Sequence, residues 1–318
     1  MAHATWDWEG RIGRRLKLRD IHVLSAVVRS GSMAKAASNL AMSQSAVSEA
    51  IAGLEDALRV KLLDRSSQGI APTIYADVLL KRGNVVFDEL NQAIKDIEFL
   101  AKPTAGEVRV ASQEFFTAGL LPAVIDRLSA RHPQITVRVI EMNTESPDYR
   151  ELHERHADLA LYRCAPTHID KEVNVEILFD DPQFIVAGAQ SRWARCSNIM
   201  LADLAEEPWI LPPSLAVKTV LEKAFESIGL IAPNPVVSAS SIQLRHKLLA
   251  TGRFLSVLAT SLLQTNAKQW KIKALPIELP KPPPVAVFTL KNRTLSPVAQ
   301  LFIEQLRAVA KSMSIPPE

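Results

Sequence analysis

The chain contains 318 residues, of which 47% are hydrophobic and 22% are charged, values typical of a globular protein with two or three domains. Its net charge of only +3 excludes a polycation that binds nucleic acid over its whole surface. The two cysteines, the lack of a signal-peptide pattern and the lack of an apolar run of about 20 residues predict a cytoplasmic protein without a membrane partner.

Positive charge is concentrated in the N-terminal part of the chain. Residues 11–65 contain ten Lys or Arg side chains and five Asp or Glu side chains, a local net charge of +5. Any interaction with nucleic acid is therefore expected in this region. Residues 1–17 combine two tryptophans with an arginine-rich run. We interpret them as a disordered leader, and the alternative is a basic arm that adds phosphate contacts.

Three helices are predicted between Leu18 and Leu63. Leu18 to Arg29 forms the first, because its apolar residues recur at helical spacing. Ser32 and Ser43 are suitable N-caps for a second and a third helix, since a serine hydroxyl can accept a free N–H of the first turn. The third helix carries short polar residues on one face and four apolar residues on the other, which are Val47, Ile51, Leu54 and Leu58.

A tight turn and small side chains connect the second and third helices. Ala36 and Ala37 allow the two helices to approach closely, and the break falls at Ala41-Met42. Two helices crossed in this way are typical of a helix-turn-helix unit. Turn residues between Ser66 and Gly69 separate two short extended segments and predict a β-wing. The alternative is an ordinary helical hairpin whose serine and glutamine side chains are solvated.

The same segments match a known family in their order and spacing. They are LRDIHVL, GSMAKAASNL, SQSAVSEAIAGLEDALRVKLLDR and GIAPT, and they extend from Leu18 to Thr73. In this range the chain resembles the LysR-type transcriptional regulators. The resemblance implies a winged helix-turn-helix DNA-binding domain over residues 18–76, with promoter DNA as a partner.

In a helix-turn-helix unit, the N-terminal end of the recognition helix reaches base edges in the major groove. Gln44 is the best candidate there for a bidentate contact with adenine, and Glu49 can accept a hydrogen bond from a cytosine amino group. The family often has a basic or amide side chain at the position of Glu49, so this chain departs from the family pattern. The residues predicted to contact DNA are Ser32, Lys35, Ser43, Gln44, Ser45, Ser48, Glu49 and Arg65.

Residues Ile74 to Leu100 predict one long amphipathic helix, with charged residues between its apolar ones. The segment resembles the linker helix of the family, which pairs with its counterpart in a dimer. We assign residues 77–104 to this helix and a hinge, because the segment from Lys102 to Gly106 ends the helical pattern. The resemblance implies a homodimer or homotetramer. Ala76 departs from the family, which usually has glycine at this position.

From Glu107 onwards, strands alternate with helices, a pattern that predicts a parallel sheet with helical crossovers. The order of these elements resembles the two-lobed effector domain of the family, which is similar to periplasmic binding proteins. We place this domain at residues 105–318, with lobe I near 105–178 and 281–318 and lobe II near 179–280. The predicted fold class is therefore α + α/β: an N-terminal winged helix-turn-helix, a long linker helix and a C-terminal two-lobed α/β domain.

A ligand of such a domain is expected between the lobes, beyond the carboxyl ends of the strands. By resemblance to the family, the residues predicted to line the effector cleft are Ser112, Thr144, Arg163, Ser214 and Ser240. For each serine or threonine a helix cap is an equal alternative, and for Arg163 the alternative is a surface position. Glu114 in the same region would repel an anion, which leaves a sugar-like or mixed-polarity ligand open.

The sequence shows no constellation that would support catalysis, a metal ion or a cofactor. It contains no Ser-His-Asp spacing, no phosphate-binding glycine loop and no zinc signature. His153 and His156 lie three residues apart, as metal ligands can, but the surrounding charges favour a solvated helix face. Cys164 is interpreted as an inert thiol rather than a redox sensor.

Together these features predict a ligand-responsive, sequence-specific transcriptional regulator that binds promoter DNA as a dimer or tetramer, and not an enzyme. Its predicted partners are double-stranded DNA, a small-molecule effector, a second copy of the chain and, further, RNA polymerase. The alternative is a small-molecule-binding α/β protein, or an enzyme, whose helical N-terminus mediates oligomerisation.

Overall fold

The computed structural model describes residues 13–66, 69–142, 149–163 and 169–313. The chain divides into two compact units, unit 1 at Met1–Asn91 and unit 2 at Gln92–Glu318. Among the described residues, no helix combines the length and the apolar character needed to cross a bilayer.

Unit 1 is a helical bundle followed by a short hairpin. Its elements are α1 (Gly13–Arg15), α2 (Leu18–Ser30), α3 (Met33–Asn39), α4 (Gln44–Leu58), β1 (Leu63–Ser66), β2 (Gly69–Pro72) and the first part of α5 (Ile74–Ala101). The two predicted N-caps are present, since the Ser32 hydroxyl accepts from Lys35 N at 3.5 Å and the Ser43 hydroxyl accepts from Ala46 N at 3.1 Å. Gly31 ends α2 in the left-handed conformation, with φ at 62°, which permits the sharp turn into α3.

The core of unit 1 forms where α2, α3 and α4 meet. Val47, Ile51 and Leu54 are fully buried, as their spacing predicts, whereas the fourth apolar residue, Leu58, is only half-buried. The start of α5 also packs here, because a Cβ at Gly83 would lie 2.7 Å from the Ile21 side chain. The three helices therefore share one apolar core with α5.

The β-hairpin is fixed to α4 by Glu55. This carboxylate accepts from Leu62 N at 2.9 Å and from Lys61 Nζ at 2.8 Å. Burial alone would raise the pKa of Glu55, but the hydrogen bonds from Lys61 and the backbone outweigh it and lower the pKa below its ordinary value. Ile70 N also donates to Gly31 O at 3.3 Å, so the hairpin is attached at both of its strands.

Lobe I of unit 2 is built on a five-stranded sheet in the order β4-β3-β5-β12-β6. Its strands are β3 (Ala105–Ser112), β4 (Gln134–Glu141), β5 (Leu159–Arg163), β6 (Val173–Phe179) and β12 (Val285–Leu290), and its helices are α6 (Glu114–Gly119), α7 (Leu121–Arg131), α8 (Arg150–His153) and α12 (Pro297–Met313). Helices α6 and α7 are separated at Leu120, and Pro122 lies in the first turn of α7, where proline is favoured.

The predicted parallel sheet is present for β3, β4 and β5, but the prediction is wrong for β12. Strand β3 runs parallel to β4 and β5, but β12 is antiparallel to both β5 and β6. The chain reaches β12 only after it has completed lobe II, so β12 does not arise from a helical crossover within lobe I. The sequence pattern identifies such a strand without giving its direction.

Lobe II contains two smaller sheets. Strand β7 (Gln183–Gly188) lies between antiparallel β10 (Leu255–Ala259) and β11 (Ile272–Ala274), and β8 (Ile210–Leu211) pairs in parallel with β9 (Val237–Ser238). A bridge between Trp209 and Leu255 joins the two sheets. The helices are α9 (Leu215–Glu226), α10 (Ile242–Leu249) and α11 (Thr260–Trp270), with 3₁₀ turns at Arg192–Arg195 and Leu201–Leu204.

A buried carboxylate joins three segments of lobe I. Asp158 accepts hydrogen bonds from Arg109 N at 2.7 Å, Arg109 Nη2 at 2.8 Å and Arg293 Nη2 at 2.8 Å. Burial alone would raise the pKa of Asp158, but the two guanidinium groups lower it. The cluster fixes β3, the start of β5 and the segment after β12 to one another.

We expect Asp158→Asn to lower the free energy of unfolding at neutral pH by about 3–5 kcal/mol, because buried Arg293 and half-buried Arg109 lose their shared carboxylate. Since the folded-state pKa is lowered, this stabilisation is present above the unfolded-state pKa and is lost as pH falls through the folded-state pKa. The free energy of unfolding of the wild-type protein should therefore approach that of the variant in acid. Urea unfolding over this pH range measures both effects, with exposed Asp180→Asn as the control. An equal loss in the control would contradict the assignment.

Candidate nucleic-acid interface and ligand cleft

The N-terminal end of α4 presents a short polar surface to solvent. Ser43, Gln44 and Ser45 are exposed, Ser48 is half-buried one turn later, and Glu49 is exposed beside it. The Ser43 hydroxyl caps the helix and lies 2.9 Å from Ser45 Oγ. Gln44 makes no side-chain hydrogen bond with any residue that the structure describes, so its amide is available to a partner. The opposite face of α4 is buried in the core of unit 1.

A shallow basic concavity of about 580 Å³ lies between α2 and α3. Its exposed cations are Arg29 and Lys35, and its polar lining includes Asn39, whose Nδ2 donates to Ser30 Oγ at 3.3 Å. Ser32 is half-buried at the start of α3, where its hydroxyl is used as the cap. This surface can accept phosphate groups, because two cations are adjacent to hydrogen-bond donors.

Arg65 belongs to β1, but its side chain lies outside the described residues, so its predicted phosphate contact stays a prediction. Arg15, near the end of the predicted leader, donates to Asp56 Oδ2 of α4 at 2.8 Å. This short segment therefore contacts α4 rather than standing apart from it.

Unit 2 contains a cavity of about 530 Å³ between its two lobes. Polar side chains in the lining include those of Gln113, Gln183, Ser214 and Ser240. Apolar side chains in the lining include those of Phe115, Tyr162, Val257, Leu258 and Leu262. The charged lining residues are Glu114, Arg163, Lys223, Arg245 and Lys281. A mainly apolar cavity with a few converging charges is typical of a small-molecule site.

Arg163 lines this cavity but is bound to the protein. Its Nη2 donates to Asp181 Oδ2 at 3.0 Å and its Nη1 donates to Pro283 O at 3.1 Å, while its side chain is only 6% exposed. Burial lowers the pKa of Arg163. Asp181 in turn accepts from Ser261 N and Ser261 Oγ, both at 2.9 Å. The charge expected to meet an effector is therefore neutralised inside the protein.

Glu114 and Arg245 form the second charged part of the cavity. Glu114 Oε1 accepts from Ile242 N, the first residue of α10, at 2.8 Å, and burial raises the pKa of Glu114. Arg245 is 3% exposed, and burial lowers its pKa to about 10 against the opposing attraction of Glu114. Arg245 therefore stays charged near neutral pH. The sequence analysis missed Arg245, although its place five residues after the predicted cleft residue Ser240 was a usable signal.

The remaining predicted cleft residues have different positions. Ser214 and Ser240 line the cavity, whereas Ser112 is fully buried, lies outside the cavity lining and donates to Gln113 O at 3.2 Å. Thr144 and Cys164 lie outside the described residues. Ser241, not Ser240, caps α10 by accepting from Leu244 N at 3.2 Å. Ser112 thus makes a local hydrogen bond to the backbone, which is neither the predicted place in the cavity lining nor the alternative of a helix cap.

Within the described ranges, no group of three His, Cys, Asp or Glu side chains is placed to hold a metal ion. His153 Nε2 instead lies 2.8 Å from Asp170 Oδ2, and His156 Nδ1 lies 3.4 Å from Glu154 Oε2. The two histidines therefore contact different carboxylates rather than a common centre.

Comparison with known proteins agrees with this two-part organisation. Residues 18–76 match the family model described as "Bacterial regulatory helix-turn-helix protein, lysR family", and residues 101–311 match "LysR substrate binding domain". These matches define a DNA-binding regulator joined to a ligand-binding module. The chain belongs to the LysR family, whose members are transcriptional regulators rather than enzymes.

Named relatives match over most of the chain. The HTH-type transcriptional regulator GbpR of Azospirillum brasilense is 25% identical over 300 residues, which are 93% of this chain and 87% of GbpR. The HTH-type transcriptional regulator CysL of Bacillus subtilis is 29% identical over 255 residues, which are 79% of this chain and 83% of CysL.

Solved structures share the fold. Full-length CbnR in complex with its target DNA has a TM-score of 0.64 at 20% identity, covering 92% of this chain and 100% of that chain. Full-length OxyR from Pseudomonas aeruginosa has a TM-score of 0.64 at 19% identity, and the match covers 93% of this chain and 97% of that chain. The predicted fold class is confirmed, and at these identities the structures show the fold alone.

The role of Arg163 as an internal support can be separated from a ligand contact. We expect Arg163→Gln to lower the free energy of unfolding by about 3–5 kcal/mol, because Asp181 would keep a buried charge without its partner. Adding Asp181→Asn should recover part of this loss, which a double-mutant cycle by urea unfolding measures. If the double variant loses the sum of the two single losses, the two residues do not act as a pair.

Proposed function

We propose that this LysR-family regulator reads promoter DNA with the N-terminal end of α4 and responds to a small molecule held in the cleft of unit 2. The observation that carries the DNA part is Gln44, which is exposed at the first position of α4 and has no hydrogen-bond partner among the described side chains and backbone groups. An amide at this position of a recognition helix can bind adenine through two hydrogen bonds.

The other predicted DNA contacts have complementary roles in this proposal. Ser43, Ser45 and Ser48 bind phosphates or share base contacts, because hydroxyl groups at a helix N-terminus suit phosphate oxygens. Arg29 and Lys35 add charge from the concavity beside α3. Glu49 is the exception, since a carboxylate cannot bind phosphate and is restricted to a donor such as a cytosine amino group.

The exposed apolar residues of α5 support assembly into at least a homodimer. Val86, Leu90, Ile94 and Ile97 are 43%, 46%, 54% and 65% exposed, and they recur at spacings typical of one helix face. An apolar stripe on a long helix is buried efficiently by a second copy of the same helix. Two copies of α4 would then face an interrupted palindrome. In this proposal the protein acts in the cytoplasm, and RNA polymerase is a further candidate partner.

Footprinting on the promoter region beside its own gene tests the DNA-binding proposal. We expect one protected site with two related halves, and a changed pattern when a ligand occupies the cleft. Protection that spreads evenly over unrelated DNA, or a fully unprotected promoter, would overturn the proposal.

Substitution of Gln44 tests the base contact. We expect Gln44→Ala to weaken binding to the specific site by about 1–3 kcal/mol while binding to unrelated DNA stays unchanged. Arg65→Ala should weaken binding to all sequences alike, because phosphate contacts carry no sequence information. Electrophoretic mobility shifts with specific and unrelated duplexes measure both. Gln269→Ala, the same change at an exposed position of α11, is the control, and a similar specific loss there would contradict the assignment.

The dimer proposal is tested on the α5 stripe. We expect Ile94→Glu to shift the protein towards the monomer in sedimentation, because the new charges would face each other across the paired helices. Circular dichroism should stay unchanged, since Ile94 is exposed in the single chain. An unchanged oligomer in this variant would argue for another interface.

A further inference from the structure

The first turn of α10 binds a carboxylate that belongs to the protein itself. Ile242 N donates to Glu114 Oε1 at 2.8 Å, and the Ser241 hydroxyl satisfies Leu244 N at 3.2 Å. A helix N-terminus favours a negative charge, because its first N–H groups are unpaired and its dipole is positive there. The cleft thus contains a place suited to a carboxylate, and the side chain of Glu114 from α6 of lobe I occupies it.

Arg245 provides an independent indication that this place binds an anion. The side chain is only 3% exposed, lines the cavity and has no hydrogen-bond partner for its Nε among the described residues. Its nearest electrostatic counterpart is Glu114. A buried guanidinium with an unsatisfied donor is unfavourable unless a negatively charged group approaches it.

Glu114 fills the place incompletely. Its Oε2 is buried and has no hydrogen-bond partner among the described residues, and burial raises the pKa of its carboxyl group. Both facts mean that the charged form of Glu114 is less stable here than in water. A ligand that offers a better-placed carboxylate can therefore compete with Glu114 for the first turn of α10.

The rest of the lining specifies the body of such a ligand. Phe115, Leu258 and Leu262 supply apolar walls to a cavity of about 530 Å³, a volume that suits a small organic molecule. Lys223 and Lys281 add two cations, whereas the charge of Arg163 is neutralised by Asp181. The lining therefore has an excess of positive charge around an apolar space.

We propose that the effector is a small carboxylic acid with an apolar body, and that its carboxylate displaces Glu114 from Ile242 N beside Arg245. The inference rests on the proposed function in that it takes this cleft as the effector site. Glu114 does not exclude anions, as the sequence suggested, but competes with them. The carboxylate of the ligand gains the N–H of Ile242 and the guanidinium of Arg245, and its body occupies the apolar walls.

Exchange of Glu114 for a ligand carboxylate would also change the contact between the two lobes. Glu114 belongs to α6 in lobe I and Ile242 to α10 in lobe II, so their hydrogen bond joins the lobes directly. A second bond between the lobes, from Asn266 Nδ2 to Ala118 O, is long at 3.5 Å. Displacement of Glu114 removes the shorter of these two bonds, and ligand binding can thereby change the relative orientation of the lobes.

Calorimetric titration of the full-length protein tests the ligand class. The probes are phenylacetate and hexanoate, with phenylacetamide and hexanamide as uncharged counterparts of the same shape. We expect both carboxylates to bind the Glu114→Gln variant about tenfold more tightly than the wild type, whereas neither amide should gain affinity. The reason is that the competing charge is gone, while Oε1 of the glutamine can still accept a hydrogen bond from Ile242 N. Arg245→Gln should abolish carboxylate binding.

Glu226→Gln is the matched control, since Glu226 is exposed at the end of α9 and its loss should leave both affinities unchanged. Equal binding of acids and amides, no gain in Glu114→Gln, or no carboxylate binding to that variant at millimolar concentration would overturn the inference. Any of these results with an intact promoter footprint overturns the ligand class alone. A missing footprint with normal carboxylate binding overturns the regulatory proposal alone.

Discussion

The cleft of unit 2 depends on the ion pair between Arg163 and Asp181. The chain passes between the lobes twice, near residues 179–183 and 280–284, and Arg163 binds both passages through Asp181 Oδ2 and Pro283 O. Asp181 extends the connection to the start of α11 through Ser261. This buried ion pair holds together the two segments that connect the lobes, and it thereby limits the distance between the lobes. Arg163 and Pro283 also line the cavity, so the ion pair supports the part of the cleft where the two passages meet.

Charge balance then determines what the cleft can recognise. The Nε atoms of both buried arginines lack a hydrogen-bond partner among the described residues, but Arg163 forms an ion pair with Asp181 at 3.0 Å, whereas Arg245 has only the electrostatic attraction of Glu114. Since a buried charge is stable only when it is paired and hydrogen-bonded, the two arginines have different tasks. Arg163 supports the fold, and in our proposal Arg245 binds the carboxylate of the ligand.

The sequence predicted those elements whose signals are local. The N-caps at Ser32 and Ser43 and the apolar face of α4 follow from neighbouring residues, and all three are observed. The alternation of strands and helices in unit 2 was also predicted, but the antiparallel direction of β12 depends on where the chain returns from lobe II, which no local pattern encodes. Helix α11 was missed because the polar run after Leu263 hides its periodicity, and only its first residues are buried.

The candidate cleft was predictable as a region but not as a set of contacts. Arg163, Ser214 and Ser240 do line the cavity, because each follows a strand or begins a helix at the edge where ligands bind. The contact of Glu114 with Ile242 joins residues 128 positions apart in sequence, so it depends on tertiary packing between lobes. Ser112 shows the converse: it occupies the right strand end but turns its hydroxyl to its neighbour's carbonyl.

Unit 1 separates affinity from sequence reading in the proposed DNA complex. The cations Arg29 and Lys35 belong to α2 and α3, whereas the exposed residues of the first turn of α4 are uncharged. Phosphate contacts supply affinity and base contacts supply specificity. Helices α2 and α3 would therefore contribute mainly affinity, and α4 would contribute mainly specificity. Glu49 adds a restriction, because its carboxylate is repelled wherever α4 approaches a phosphate. Glu49 therefore disfavours every position of α4 on DNA except those in which its carboxylate faces a hydrogen-bond donor on a base edge or faces solvent. Part of the specificity would then come from the binding positions that Glu49 excludes.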